Sequence, residues 1–290
     1  MKLFLEISSV GSACKKNRYE PVNRTLLSSI IRHSPELAKE YLLRSGSVTE
    51  SGSDKKNKDS EIFSAYSEAS SGVNNPDQFG NIEKKTIKKI KESIPDFSEE
   101  DLSRAKVYVR ESIKKDCGTN AEKDVISEKD YSPGNKKMYY YSIGNCVIGG
   151  FHDAKCGGTI IEIKTRMSRG NVRKNEYDLY QLIGYLLAMG ISKGKIVQKF
   201  DTEVFDSDVE TKTEYGIIDL NEEKWNSIAE TMKTELTEYF TGLSIILATN
   251  NTDTLGSVFP DNDIPIAKLN NYGKLIDINY KYQKFLKCLK

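Results

Sequence analysis

The stretch IGGFHDAKCGGTIIEIKTR, residues 148–166, sets Asp153, Glu162 and Lys164 among isoleucines and glycines. A buried charge is costly unless it is paired or holds a metal ion. Three ionisable side chains inside an apolar, strand-like run therefore ask for a chemical reason. Lys155-Cys156-Gly157-Gly158 reads as the turn of a hairpin. Pairing about that turn sets Asp153 opposite Ile160, two positions from Glu162. Alternation along the second strand puts Ile160, Glu162 and Lys164 on one face, which Asp153 shares, and Ile161, Ile163 and Thr165 on the other. Two carboxylates on adjacent strands, a diagonal of ~7 Å apart at the backbone, can converge on one cation. A lysine beside them can hold a water or meet the charge developing on a phosphate. That is the constellation of a metal-dependent phosphodiesterase.

The Glu-x-Lys spacing alone is weak, because it recurs at Glu83 to Lys85 and Glu222 to Lys224. Those copies fall in polar, helical stretches, where a solvated pair is the simpler reading. The copy at Glu162 differs: it lies inside an apolar strand and follows an aspartate in a glycine-containing hairpin.

Three motifs now stand in order: Gly150 to Asp153 in GGFHDA, Glu162 to Lys164 in IIEIKTR, and Gln181 to Tyr185 in YDLYQLIGYLLAMG. Upstream, CGTNAEKDVI supplies Gly118 and Glu122 at Gly-x-x-x-Glu spacing. Together they resemble the G-x-x-D, E-x-K and Q-x-x-x-Y motifs of PD-(D/E)XK nucleases of the RecB and lambda exonuclease type, including YqaJ-like viral recombinases. The resemblance covers about residues 102–240. It implies an α/β fold with a restriction-endonuclease-like core, a mixed central β-sheet flanked by helices. It also implies that Asp153 and Glu162, with the Ile163 carbonyl, bind one or two Mg2+ or Mn2+ ions and activate a water. Lys164 would orient that water and stabilise the transition state. Gln181 and Tyr185, four apart and so on one helix face, would border the site and contact substrate or Lys164. Glu122 would be an outer or second-metal ligand, its alternative being a capping or solvated glutamate. Iron-sulfur members of the family carry a cysteine cluster near the C-terminus. Here only Cys288 lies there, so no iron-sulfur cluster is expected. The sequence has no helicase motif and no P-loop lysine pattern.

Composition sets wider bounds. At 290 residues and 38% hydrophobic, the chain can bury a sizeable core. No run approaches the ~18 apolar residues needed to span a bilayer. The start, MKLFLEISSVGSAC, mimics a signal peptide, but Glu6 interrupts an already short apolar core. The five cysteines, Cys14, Cys117, Cys146, Cys156 and Cys288, are odd in number and never in C-x-x-C spacing. They suit a reducing compartment better than a disulfide framework or zinc ribbon. The net charge of +1 means that a polyanion must be held by local patches.

Residues 1–75 read as a helical N-terminal extension with a polar linker. A helical pattern over 23–43 is broken at Pro35, and a Ser-, Gly- and Asn-rich stretch follows from Ser45. Residues 76–250 read as the nuclease core. Its helices include one entered by Ser98 as N-cap, with Ala105, Tyr108 and Val109 facing the sheet, and one ended by Gly190. An amphipathic helix with Trp225, Ile228, Met232 and Leu236 on one face closes the core. Residues 251–290 form a basic, aromatic tail on or near the core; Lys281, Lys284 and Lys287 alternate there with Tyr280, Tyr282 and Phe285. Arg166, Arg169, Arg173 and Lys174 lie between strand and helix and suit phosphate contacts at the lip of the site. His152 reads as a packed histidine, and His33 carries no assignable chemistry.

The function expected is that of a metal-dependent deoxyribonuclease, a DNA exonuclease in recombination, repair or replication, of viral or phage-like type. Its partners would be nucleic acid and a recombination or replication protein, with no membrane. Its place would be intracellular, in cytoplasm or nucleus. An RNA-cleaving endonuclease of the same fold, or a non-cutting binding protein on a nuclease fold, are the alternatives.

Overall fold

The computed structural model describes residues 2–18, 20, 22–44, 62, 64–70, 79–93, 98–135, 137–166, 175–203, 211–253 and 255. The chain is a mixed α/β protein. In order it runs β1 (Leu3–Glu6), a 3-10 turn (Ile7–Ser9), α1 (Val10–Ala13), α2 (Val22–His33) and α3 (Pro35–Arg44), then α4 (Phe79–Ser93) and α5 (Glu99–Glu128). There follow β2 (Ser132–Pro133), β3 (Tyr139–Ile143), β4 (Cys146–Gly150), β5 (Ala154–Cys156) and β6 (Thr159–Arg166). The last elements are α6 (Glu176–Met189), β7 (Lys193–Glu203), β8 (Thr211–Leu220) and α7 (Glu222–Thr249).

Local chemistry sets several boundaries. Pro35 opens α3, where its missing amide proton costs nothing. The Ser98 hydroxyl accepts the Asp101 amide and starts α5, and Asn221 accepts the Lys224 amide and starts α7. Gly190 ends α6 in the left-handed conformation, at φ 63°.

The strands form two sheets where one central sheet was expected. One has the order β1-β4-β3 and the other β2-β5-β6-β7-β8. In the larger sheet β5 and β6 form a hairpin, and β6 then runs parallel to β7 through the α6 crossover. β8 returns antiparallel to β7.

The first 44 residues, set apart above as a helical extension, belong to the core. The apolar start that mimics a signal peptide is β1, paired parallel with β4 from Leu3–Cys146 to Glu6–Gly149. Ile7 is fully buried, and a Cβ on Gly184 of α6 would meet its Cγ2 at 2.9 Å. A Cβ on Gly11 of α1 would meet the Tyr177 Cβ of α6 at 2.6 Å. Val10, Ile30, Leu37 and Tyr41 share one buried cluster with Leu182, Met232 and Leu236. His33 is buried in it, with Nε2 3.1 Å from the Phe4 amide nitrogen.

The front of α5 departs from expectation. Ala105 packs with Ile62, Ala65 and Ile90, and Val109 with Tyr66, Ile82 and Ile113. This face turns to α4 and to the helical residues 64–70, away from the sheet, because those helices supply the matching apolar stripes. Only the far end of α5 reaches the larger sheet, where Val125 packs with Ala154, Ile161, Ile163 and Val197. At 30 residues, α5 is ~45 Å long and ties a small helical cluster to the sheet. Among the described residues no helix is long and apolar enough to cross a membrane. Of the C-terminal tail only residues 251–253 and 255 are described, and Leu255 is buried in the main cluster.

The packing of Ile7 leads to the first prediction. Ile7→Ala should lower unfolding free energy by about 2–5 kcal/mol, the range for a large buried aliphatic truncated to alanine. Urea denaturation measures it, and a loss under about 0.5 kcal/mol, the size of a surface substitution, would place the N-terminal segment outside the core.

Candidate active site

The β5–β6 hairpin closes on two residues, Gly157 and Gly158, with Gly157 at φ 57°. Lys155 therefore pairs with Ile160 and Ala154 with Ile161. By that register Asp153, just before β5, comes across from Glu162; it had been expected across from Ile160. The turn is centred between Gly157 and Gly158, one residue beyond the expected centre, and this shifts the pairing by two residues. An even shift keeps every side chain on its expected face. Ile160 accordingly packs in the cluster with α6, and Ile161 and Ile163 pack with Val125 on the opposite side.

Asp153 lies where the ladder has ended. Its Oδ2 accepts the Ile163 amide at 2.8 Å, so the side chain takes a hydrogen bond that a backbone carbonyl would otherwise accept. Its own carbonyl accepts the Gly134 amide at 2.7 Å. A Cβ on Gly134 would come within 1.9 Å of the His152 carbonyl oxygen. The backbone before Asp153 is thus held against a residue that must be glycine. His152 is buried, as expected of a packed histidine, with its ring edge-on to Tyr139 at 5.6 Å.

Glu162 is 0% exposed. Its Oε1 accepts from Lys164 Nζ at 2.6 Å, and the same ammonium donates to Gln181 Oε1 at 3.0 Å. The second oxygen, Oε2, is buried without a hydrogen-bond partner. Tyr185 follows Gln181 by one turn, is buried, and hydrogen-bonds Gln181. A Cβ on Gly150 would meet the Tyr185 ring at 3.1 Å, so the glycine of the first motif makes room for the tyrosine of the last.

The charges are strongly coupled. Burial, then the Asp153 charge, pushes the Glu162 carboxyl up to about 8 in spite of Lys164. Burial and Asp153 push Glu122, near the end of α5, up to about 7. Asp153 is raised by burial, with the Ile163 amide and Lys164 opposing. Burial alone would lower the Lys164 pKa, but Glu162, Asp153 and Asp178 outweigh it and keep the ammonium charged. Tyr185 is raised by burial and by Glu162. The Glu122 shift shows that it shares the field of Asp153 and Lys164, although Gly118 meets nothing within 4 Å and permits no close approach.

Two residues at the site escaped the sequence reading. Asp178 is 0% exposed on the first turn of α6, and its charge bears on both Glu162 and Lys164. Its i, i+3 spacing to Gln181 was the available signal, masked by the ordinary preference for acids at helix starts. Gly134 had no signal, since SPGNK reads as a turn. Arg169, Arg173 and Lys174 lie outside the described residues. Arg166 ends β6 opposite Phe200, and its side chain is outside them too.

Does this set fit a divalent cation? Among the described residues no three His, Cys, Asp or Glu side chains gather as a metal-ligand group. A smaller donor set does fit. The buried, unpartnered Oε2 of Glu162 needs a positive partner, Asp153 faces it across the hairpin, and the Asp153 charge raises the Glu162 carboxyl, which marks a surplus of negative charge over the one ammonium. Asp153 and Glu162 are the residues that would hold Mg2+ or Mn2+, with Glu122 further out.

No protein-family model matches the sequence, and no curated protein does. Among solved structures, the chain is similar to the protein described as "Crystal structure of SSO0001", with a TM-score of 0.34 and 16% identity, over 63% of this chain and 84% of that one.

The raised carboxyls make stability depend on pH. Their folded-state pKa values, about 8 for Glu162 and about 7 for Glu122, exceed the unfolded value of 4.5. Between these limits the folded state binds more protons, so its stability falls as pH rises. In EDTA the wild type should lose stability from pH 5 to 8 relative to Glu162→Gln, which lacks the largest of these groups. Parallel pH profiles from thermal melts would refute the coupling. Mn2+ binding at pH 7 should release protons, read by calorimetry in buffers of different ionisation heat.

Proposed function

We propose that this chain is a metal-dependent nuclease with a restriction-endonuclease-like core, acting on DNA as an exonuclease in recombination, repair or replication. The observation that carries the reading is Glu162: a fully buried carboxylate, one oxygen on Lys164, the other unpartnered, with Asp153 across the hairpin. A buried carboxylate oxygen without a partner is costly, and a bound cation would supply that partner. The element order also supports it: the helix with Glu122, the hairpin with Asp153 and Glu162, then α6 with Gln181 crossing to a parallel strand.

Bound Mg2+ or Mn2+ would supply Lewis acidity and lower the pKa of a water. The protein supplies the rest. Asp153 and Glu162 place the ion at the mouth of the hairpin. Lys164 spends two of its three donors on Glu162 and Gln181, which leaves one N–H to orient water or meet charge on the phosphate. Gln181, hydrogen-bonded to Tyr185, fixes where that ammonium points. The aliphatic wall of Ile160, on the same face, keeps water from weakening these contacts.

The direct test is digestion of end-labelled linear, circular and single-stranded DNA, and of RNA, with Mg2+, Mn2+ or EDTA. Linear DNA should be shortened from its ends only with metal, whereas cleavage in excess EDTA would end the mechanism and cleavage of RNA alone would reassign the substrate. Lys164→Ala should cost about 10²-fold to 10³-fold in rate, the usual loss for one transition-state donor, and near wild-type turnover would remove Lys164 from the chemistry. Glu122→Gln, folded by its melting temperature, should need more Mn2+ for half-maximal activity. An unchanged requirement would confine the site to Asp153, Glu162 and Lys164.

A further inference from the structure

Beside Asp153 lies a second group of charges that the three motifs do not include. Tyr139 opens β3 directly across from Gly150. Facing residues of antiparallel strands share a face, and the Gly150 Cβ direction leads to Tyr185, so Tyr139 is on the side of the site. Lys155 pairs with Ile160, which places it on the face of Glu162 and Lys164, two residues or ~6.6 Å along a strand from Asp153. Two ammonium groups meet at this ring: Lys137 Nζ is 5.4 Å and Lys155 Nζ 5.7 Å from the Tyr139 centroid. Asn135 ties the group together, donating to the Tyr139 hydroxyl at 3.1 Å and accepting the Lys137 amide at 3.3 Å.

Some lysines of the sheet and of α7 differ from these two. Lys195, Lys199 and Lys233 each face a carboxylate within 4 Å. Lys137 and Lys155 have no carboxylate at ion-pair distance among the described residues. The tyrosine ring holds them by cation–π attraction, which gathers positive charge without neutralising it. Two ammoniums without a carboxylate partner suit an anion, and the anion that a phosphodiesterase brings there is the substrate's own backbone.

We infer that Lys137 and Lys155, held over Tyr139, form a subsite for the backbone phosphate next to the scissile one. The inference rests on the nuclease reading. It makes the cluster a register device: the neighbouring phosphate seats here, and the bond to be cut then falls at Asp153 and Lys164.

The test compares the native chain with Lys137→Gln/Lys155→Gln on a short single-stranded oligonucleotide in Mn2+. KM should rise about tenfold, the size of one lost charge-assisted hydrogen bond, with kcat little changed, as for a contact made equally in ground and transition states. The slope of log KM against log salt should flatten by about 0.7. A substrate with one neutral methylphosphonate, 5′ or 3′ of the cleaved bond, separates the subsite from general charge loss. At one of the two positions it should raise KM for the native chain and add nothing for the double variant. Equal penalties for both proteins, or an unchanged KM in the double variant, would overturn the subsite alone. A native chain that cuts no nucleic acid would overturn the nuclease reading, and the subsite with it.

Discussion

A carboxylate with no water around it and a single ammonium beside it is the constraint on which the rest depends. Glu162 lies in the middle of β6 among Ile160, Ile161 and Ile163, all buried. Removing its charge from water costs several kcal/mol, and one lysine repays that only where the geometry is close and the remaining polar atoms are matched. The structure around it reads as a series of responses. Lys164, two residues on, reaches the same face because strands alternate. Gln181 accepts a second hydrogen bond from that ammonium and so ties α6 to β6. Tyr185, one turn later, fills the space that Gly150 leaves open. The N-terminal segment then secures α6 from outside, through Ile7 on Gly184 and Gly11 on Tyr177.

The parts that were legible in the sequence are those set by short-range periodicity. Period two along IIEIKTR put Glu162 and Lys164 together, and period 3.6 along YDLYQLIGY put Gln181 and Tyr185 together; both hold in the fold. The hairpin register was off by two, because the turn is centred between Gly157 and Gly158, one residue beyond the centre of Lys155–Gly158 about which the strands were paired. What failed depended on distant partners. LFLE is four residues long, and its strand character comes from β4, some 140 residues later. The Ala105 and Val109 face was correctly apolar, but its partner was another helix. Asp178 and Gly134 have meaning only once α6 and β2 are in place.

The division of α5 between two apolar clusters bears on how Glu122 reaches the site. Its first turns belong with α4 and residues 62–70, and its last turns belong with the sheet. The bidentate bond from Arg110 to Glu83, at 2.9 Å, and the Tyr66 hydroxyl on Asp116 fasten the outer part. Val125 and Ile126 fasten the inner part. Glu122 lies between these anchors, so its position is set by the path of the helix.

For the proposed nuclease, Gly134 shows how the chemistry could be lost while the motifs remain. Any single-nucleotide missense change in a glycine codon introduces a side chain, and here even the first carbon of that chain would meet the His152 carbonyl and displace the backbone that carries Asp153. A descendant altered at this one position would still spell Asp153, Glu162 and Lys164 in full. Intact acids and lysine are therefore an incomplete criterion for separating working copies from relics. The glycine on the adjoining strand end, outside every motif, belongs in that criterion as well.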